Sequence, residues 1–248
     1  MEHAAIRAAN GTVVRPTIVA HRGYCKTHPE NSLSAFRNAE WVGCEWVECD
    51  VHAAADGTPV VIHDDTLDRT TCGTGPVADR LCNDLSHLRL RMNGHVTGEP
   101  IPTLARMLAA LKPTTGVLVE LKPPNAPRLV RDVLKLLHGE QRPWVLQSFD
   151  AANVLEVCTR DPAAPAALLV EDAATLRRAL GERWQGVHAD HTLLTPEVVK
   201  VLRANHARVG AWTVNDPADL RRVIGLGVDW LITDEPLVAR ELCEGMCD

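Results

Sequence analysis

Along the chain, short runs rich in β-branched residues alternate with longer stretches whose apolar positions recur every three to four residues. The short runs are TIVAH (17–21), EWVECDV (45–51), GVLVELK (116–122), WVLQSF (144–149), AALLV (166–170), GVHAD (186–190), RVGAWTV (208–214) and VDWLIT (228–233). Their length and composition predict strands. Between them lie helical patterns. SLSAFRNAEWVG sets Leu33, Phe36, Ala39 and Val42 at helical spacing and stops at Gly43. NAPRLVRDVLKLLHG is amphipathic and also ends at glycine, and NDPADLRRVIGLG opens with an Asp cap and a proline in the first turn. Repeated strand–helix units predict an α/β fold, and eight of them predict a (β/α)8 TIM barrel. A doubly wound open sheet would show a similar pattern. No GxGxxG or GxxxxGK[ST] loop follows an early strand, which counts against its nucleotide-binding versions.

Two stretches break the rhythm. After Val51, ADGTPV leaves only a few residues before the next apolar run, whereas a parallel crossover needs a dozen or more. Asp56-Gly57 predicts a two-residue hairpin turn with TPVVIH returning antiparallel. In that register Ala54 faces Pro59 and Asp50 faces His63. Residues 64–100 are rich in Gly, Thr, Asp and Arg, with one short helix near NDLSHL. They read as a small insertion capping one barrel end, within a single domain spanning 1–248.

A chain of 248 residues suits one barrel domain. The net charge of −6 argues against a basic nucleic-acid surface, though not against an anionic substrate held by local charge. No run approaches the ~18 apolar residues of a membrane span, so no stable membrane insertion is expected. The opening MEHAAIRAANGTVVRPT lacks the apolar core of a signal peptide, and the eight cysteines form no CxxC pair. A cytoplasmic protein with reduced thiols is the expectation. Nothing in the pattern specifies an oligomeric state.

The chemistry concentrates at predicted strand ends. Residues two apart on a strand share a face, so Glu48, Asp50 and His52 project together, and the predicted hairpin adds His63. Glu120 and Lys122 repeat the arrangement on the next barrel strand, and His21-Arg22-Gly23 ends the first. Taken singly these have bland readings: a solvated edge, a salt bridge, a hydrogen-bonded structural histidine. Their convergence on C-terminal strand ends, where barrel active sites sit, favours a site. Three carboxylates suit one hard divalent cation, Mg2+ or Ca2+. Arg22 and Lys122 suit a phosphate, and two imidazoles suit proton transfer near neutral pH. Phosphodiester cleavage uses that set better than carbonyl or hydride chemistry. His52 is read as a prop for the site, and Glu30-Asn31 as ordering the first loop, with Glu30 also backing a histidine. His188, Asp190 and His191 are read as structural.

The segments AHRG, HPENSLSAFRNA, VECDVHAAADGTPVVIHDDTLDRTTCGTGPV, IPTL, VELK, QSFD, AWTVND and LITDEP, spanning about residues 18–236, resemble in that order the glycerophosphodiester phosphodiesterases. The resemblance implies the same barrel, with a small insertion after the His-Asp motif. It implies hydrolysis of small glycerophosphodiesters such as glycerophosphocholine or glycerophosphoethanolamine to sn-glycerol 3-phosphate and an alcohol. By position, His21 and His63 would be the acid–base pair, and Glu48, Asp50 and Glu120 the metal ligands. Arg22 and Lys122 would contact phosphate, and Trp212 would line the glycerol pocket. The short insertion looks more like the cytosolic than the periplasmic branch. Departures are mild: Ser32 replaces a threonine that would also cap a helix, and Cys49 replaces an aliphatic residue and should face away from the site. Two alternatives stand beside this reading. A lysophospholipase D-type diesterase would need an apolar groove for an acyl chain. A non-catalytic barrel that binds metal and glycerol phosphate would be expected to have lost a histidine or a carboxylate, and this chain keeps all five.

Overall fold

A computed structural model describes residues 15–123 and 126–245. Residues 1–14 of the N-terminal stretch considered above, residues 124–125 and residues 246–248, Cys247 among them, lie outside the described residues. The strands are β1 (Thr17–Ala20), β2 (Trp46–Ala53), β3 (Pro59–Val61), β4 (Arg89–Met92), β5 (His95–Pro100), β6 (Gly116–Leu121), β7 (Trp144–Ser148), β8 (Ala166–Val170), β9 (Gly186–Asp190), β10 (Arg208–Trp212) and β11 (Trp230–Thr233). The helices are α1 (Leu33–Trp41), α2 (Cys82–Leu85), α3 (Leu104–Ala110), α4 (Ala126–Leu137), α5 (Ala151–Arg160), α6 (Ala173–Gly181), α7 (Pro196–Ala204), α8 (Pro217–Leu226) and α9 (Pro236–Gly245).

Eight strands pair in parallel in the order β1, β2, β6, β7, β8, β9, β10, β11, and β11 pairs back with β1. The barrel is therefore closed, as the strand–helix rhythm predicts, and each barrel strand falls within about two residues of its sequence-predicted bounds. Closure leaves two faces on every strand. Val47, Cys49 and Val51 of β2 point outward into the main core with Phe36 of α1 and Met107 of α3. Cys49 thus faces away from the barrel interior, as expected. Inside, Val19, Leu118, Trp230 and Ile232 pack with Trp46 and Trp212. Local signals end the helices where they should. Ser32 accepts a hydrogen bond from the Ala35 amide (3.0 Å) to start α1. Asp216 caps α8, which stops at Gly227 in the left-handed region (φ 69°).

The hairpin differs from expectation by one residue. β3 pairs Val51 with Val61, His52 with Val60 and Ala53 with Pro59. The loop has three residues, not two: the Ala54 amide donates to the Thr58 carbonyl (3.0 Å), and Gly57 sits at φ 88°. Asp-Gly serves this bulged loop as well as a two-residue turn, so the dipeptide alone does not choose between them. Ala54 and Thr58 being bonded, Ala53–Pro59 is a non-bonded pair, and the missing proline N–H still costs nothing. The shift puts Ile62, not His63, opposite Asp50, with the Ile62 amide donating to the Asp50 carbonyl (3.0 Å). Val60 and Ile62 consequently pack under the insertion with Leu67, Val77, Leu85, Leu90 and Ile101. That separate small core seats residues 64–100, which hold α2 and the β4–β5 hairpin. His63 follows after β3 has ended, at a bend, and His52 Nε2 donates to its carbonyl (3.0 Å).

His188 of β9 is buried in the barrel, its Nδ1 2.8 Å from Gln147 Oε1. Burial without a counter-charge pulls its pKa from 6.5 down to about 4. The unfolded chain therefore binds a proton on this group between pH 6.5 and 4 that the folded chain refuses. Stability should fall as pH drops through that window, by about 3 kcal/mol from this group. Urea unfolding of the wild type and His188→Gln across pH 4–7 checks this: the variant's dependence should be shallower by about that amount.

Candidate active site

Glu48 and Asp50 project inward from β2, and Glu120 projects from β6, where the parallel ladder pairs it with Asp50. All three are buried, at 1%, 1% and 7% exposure, and each offers an oxygen within 4.8 Å of the others. Three anions this close, out of water, need compensation. Lys122 Nζ lies 3.0 Å from Asp50 Oδ1 and also contacts Glu120. Arg22 places Nε 3.3 Å from Asp50 Oδ2 and donates its backbone N–H to Glu48 Oε2 (2.9 Å). Asn31 donates to Asp50 Oδ2 (2.8 Å) and accepts from the Asp50 amide (3.2 Å).

The compensation is uneven. For Asp50, burial is outweighed by Lys122, Arg22 and His63, which hold it well below the usual carboxylate range. Burial, then Asp50, pushes Glu120 up to about 7 against Lys122. Glu48 is pushed well above its ordinary value by burial and by both acidic neighbours. Three acids thus face two fixed cations. An all-oxygen, buried, excess-negative donor set fits a hard dication.

Each histidine is oriented by its own aspartate. His21 Nδ1 is 2.7 Å from Asp234 Oδ1, at the end of β11, next to β1 in the closed barrel. Asn215 donates to the other Asp234 oxygen (2.6 Å). His63 Nδ1 is 2.6 Å from Asp64 Oδ1. Arg69, from the insertion, forks onto Asp64 (2.7 and 2.7 Å) and onto Glu30 (2.8 and 2.9 Å). Glu30 in turn accepts from Arg22 Nη1 (2.8 Å). With both Nδ1 atoms engaged, Nε2 is the ring nitrogen left for chemistry. Burial lowers the His63 pKa, with Asp50 opposing.

Both histidines line one cavity of about 90 Å³ together with Arg22, Glu48, Glu120, Lys122, Phe149 and Trp212. The sequence-predicted set is therefore gathered in one place, with Asp50 directly behind it. Trp212 stands edge-on to Phe149 (5.3 Å between centroids) and donates to the His188 carbonyl (2.9 Å). His52 props the backbone of His63. Glu30 departs from expectation: it holds Arg22 and Arg69, and the histidines take Asp64 and Asp234 instead. Asn31, read as ordering the first loop, holds Asp50; Asp64, Arg69, Phe149 and Asp234 have no role in the sequence reading. Asp64 adjoins His63, and Asp234 ends a barrel strand, so both had a readable signal. Arg69 had none, since a loop arginine gains its role only from where the loop is seated.

This architecture and this sequence have counterparts. The model of the glycerophosphoryl diester phosphodiesterase family matches residues 21–238. A glycerophosphodiester phosphodiesterase of Caldanaerobacter subterraneus is 30% identical over 236 residues, covering 90% of this chain and 96% of that protein. One of Bacillus subtilis is 26% identical, covering 96% and 91%. Among solved structures, an Oleispira antarctica phosphodiesterase in complex with its product sn-glycerol-3-phosphate superposes with a TM-score of 0.85 at 26% identity, covering 93% of this chain and 97% of that one. With the family match running from the first catalytic-face histidine to the last helix, the chain belongs to the glycerophosphodiester phosphodiesterase family of phosphoric diester hydrolases.

Proposed function

We propose that this protein hydrolyses small glycerophosphodiesters, such as glycerophosphocholine or glycerophosphoethanolamine, to sn-glycerol 3-phosphate and an alcohol in a metal-dependent reaction. One observation carries the reading: two aspartate-oriented imidazoles line the same small cavity as two members of a buried three-carboxylate cluster and two cationic side chains. The product bound by the Oleispira relative supports the glycerol phosphate assignment.

Glu48, Asp50 and Glu120 would hold one Mg2+ or Ca2+. When bound, that cation supplies Lewis-acid stabilisation of charge on the phosphate oxygens. Arg22 and Lys122 add positive charge beside the phosphate and orient it. One histidine deprotonates the attacking hydroxyl or water as the new O–P bond forms. The other protonates the alkoxide as the old P–O bond breaks. Phe149 and Trp212 present an apolar wall to the glycerol carbons. A cavity of about 90 Å³ suits a polyol phosphate better than an acyl chain. Residues 64–100 are read as a cap of one barrel domain, and the protein as cytoplasmic. Among the described residues no helix is long and apolar enough to cross a membrane.

Exhaustive chelation should abolish release of glycerol 3-phosphate, and Mg2+ or Ca2+ should restore it. Glu48→Gln should weaken metal binding by calorimetry while leaving the fold intact. Full activity after chelation would sink the metal assignment.

His21→Ala and His63→Ala should each lower kcat by roughly 10²–10⁴-fold with metal binding largely retained. The double variant should fall short of the product of the two losses, because the pair acts as a unit. The pH–rate profile should be bell-shaped, and the limb governed by His63 should lie below 6.5, since burial shifts it downward. A His63→Ala enzyme with wild-type kcat would refute its role.

Arg69→Ala should cost about 10–100-fold in kcat, the size usual for partners that orient active groups. Arg69→Lys should restore little, since a lysine cannot fork onto Asp64 and Glu30 at once. Steady-state kinetics of both variants tests this, and full rescue by lysine would reduce Arg69 to a point charge.

A further inference from the structure

Beside the carboxylate cluster, a second group of ligating side chains converges where β1 and β11 end. His21 Nδ1 lies 2.7 Å from Asp234 Oδ1, and Cys25 Sγ lies 3.1 Å from the same oxygen. One ligand atom from each of the three residues falls within 4.8 Å of the others. The set differs in kind from Glu48, Asp50 and Glu120. It offers one thiol, one imidazole and one carboxylate, and it is half-buried where the other is buried. Hard cations prefer the oxygen cluster, whereas a sulfur–nitrogen–oxygen set suits a borderline-soft ion.

The arrangement is already close to a coordination shell. Asp234 Oδ1 accepts from both the His21 N–H and the Cys25 S–H, so both donors are aimed at one point. Its other oxygen is held by Asn215 (2.6 Å), and its amide donates to Asn215 Oδ1 (2.9 Å), which fixes the carboxylate plane. Such outer-shell partners are what ligating groups usually carry. Tetrahedral bonds of about 2.0–2.3 Å put ligand atoms about 3.3–3.7 Å apart. The observed 2.7 and 3.1 Å contacts therefore need to open by no more than about 1 Å. Nearby positive charges are engaged elsewhere: Arg22 on Glu30 and Asp50, Lys26 on Glu235. Burial and Asp234 push the Cys25 thiol up, so without a metal it stays protonated and is not a nucleophile. A bound dication deprotonates such a thiol outright.

The geometry points to a second metal site, formed by His21, Cys25 and Asp234, that takes a dication of the Zn2+ class and inhibits the enzyme by withdrawing His21. Binding forms bonds to Nδ1, Sγ and Oδ1. The thiol proton goes to solvent and the neutral imidazole carries its proton on Nε2. A dication with one thiolate and one carboxylate is charge-neutral. Its imidazole, tied at Nδ1 and protonated at Nε2, can no longer accept a proton from a reactant. The inhibitory half rests on the proposed role of His21; the binding half does not.

The test uses the full chain in excess Mg2+, so that the oxygen cluster is occupied. Cd2+ titration, followed by the ultraviolet thiolate-to-cadmium charge-transfer band, should show one equivalent that is lost in Cys25→Ser and in Cys25→Ala. In parallel, the Zn2+ concentration that halves activity should rise at least about tenfold in both variants, since even outer-shell changes cost 10–100-fold in metal affinity. Raising Mg2+ tenfold should not relieve the wild-type inhibition. Two substitutions of different size, each checked by circular dichroism, separate a lost ligand from a lost fold. A titration unchanged in both variants would overturn the site. So would Zn2+ inhibition that Mg2+ relieves, because the competition would then lie at Glu48, Asp50 and Glu120. A cysteine-dependent band with unchanged Zn2+ inhibition would overturn the inhibitory half. If His21→Ala left kcat untouched while the band persisted in the wild type, the failure would lie with the catalytic role and not with the site.

Discussion

Three carboxylates buried within reach of one another repel, and the catalytic face of this barrel is arranged around that repulsion. Asp50 is the centre of the answer. It stays ionised because Lys122, Arg22 and the Asn31 amide all address it, the last two from the loop between β1 and α1. Lys122 comes from the end of the neighbouring strand. Arg22 comes from the turn after β1, where it holds a left-handed backbone (φ 54°) that non-glycine residues adopt at a cost of about 1–3 kcal/mol. That conformation is over-determined by the Glu48, Glu30 and Asn31 hydrogen bonds made by its own atoms. Gly23 follows because the turn lies flat on α1. A Cβ there would meet the Ala35 carbonyl carbon at 2.6 Å. The local oddities of the first loop are thus consequences of holding one arginine against buried acid.

The insertion is tied into the same network. Its own small core is seated on Val60 and Ile62, and its Glu99 accepts from the Ser34 amide of α1 (3.1 Å), so the hairpin and a barrel helix together fix its position. From that seat Arg69 reaches both Asp64 and Glu30 and so links the partner of His63 to the partner of Arg22. One side chain thereby couples the orientation of a proposed proton-transfer group to that of a proposed phosphate contact. Displacing the insertion would disturb both at once, although it contributes no group to the carboxylate cluster.

The oxygen cluster projects from β2 and β6, and the His21–Cys25–Asp234 set gathers where neighbouring β1 and β11 end. The first is buried and all oxygen, and the second is half-buried and offers sulfur, nitrogen and oxygen. That contrast lets the proposed catalytic cation and a thiophilic competitor be told apart by chemistry alone.

Much of this was legible in the chain. The eight barrel strands followed from runs of β-branched residues, and the shared face of Glu48 and Asp50 followed from the two-residue period of a strand. Glu120 joined them because equivalent ends of neighbouring parallel strands lie side by side. Those are local or nearest-neighbour properties, which sequence encodes directly. The hairpin was misread by one residue because Asp-Gly satisfies two loop types, and the choice between them is made by backbone geometry. His63 reached the site regardless, since β3 stops and the chain bends before it. The partnerships that give the groups their chemistry were decided by tertiary structure. Asp234 meets His21 across 213 residues because the barrel closes, and Arg69 meets Glu30 across 39 because the insertion is seated on β3. No local propensity specifies either contact: each exists only once separate segments have packed, and packing supplies the neighbours that orient the side chains and shift their pKa values.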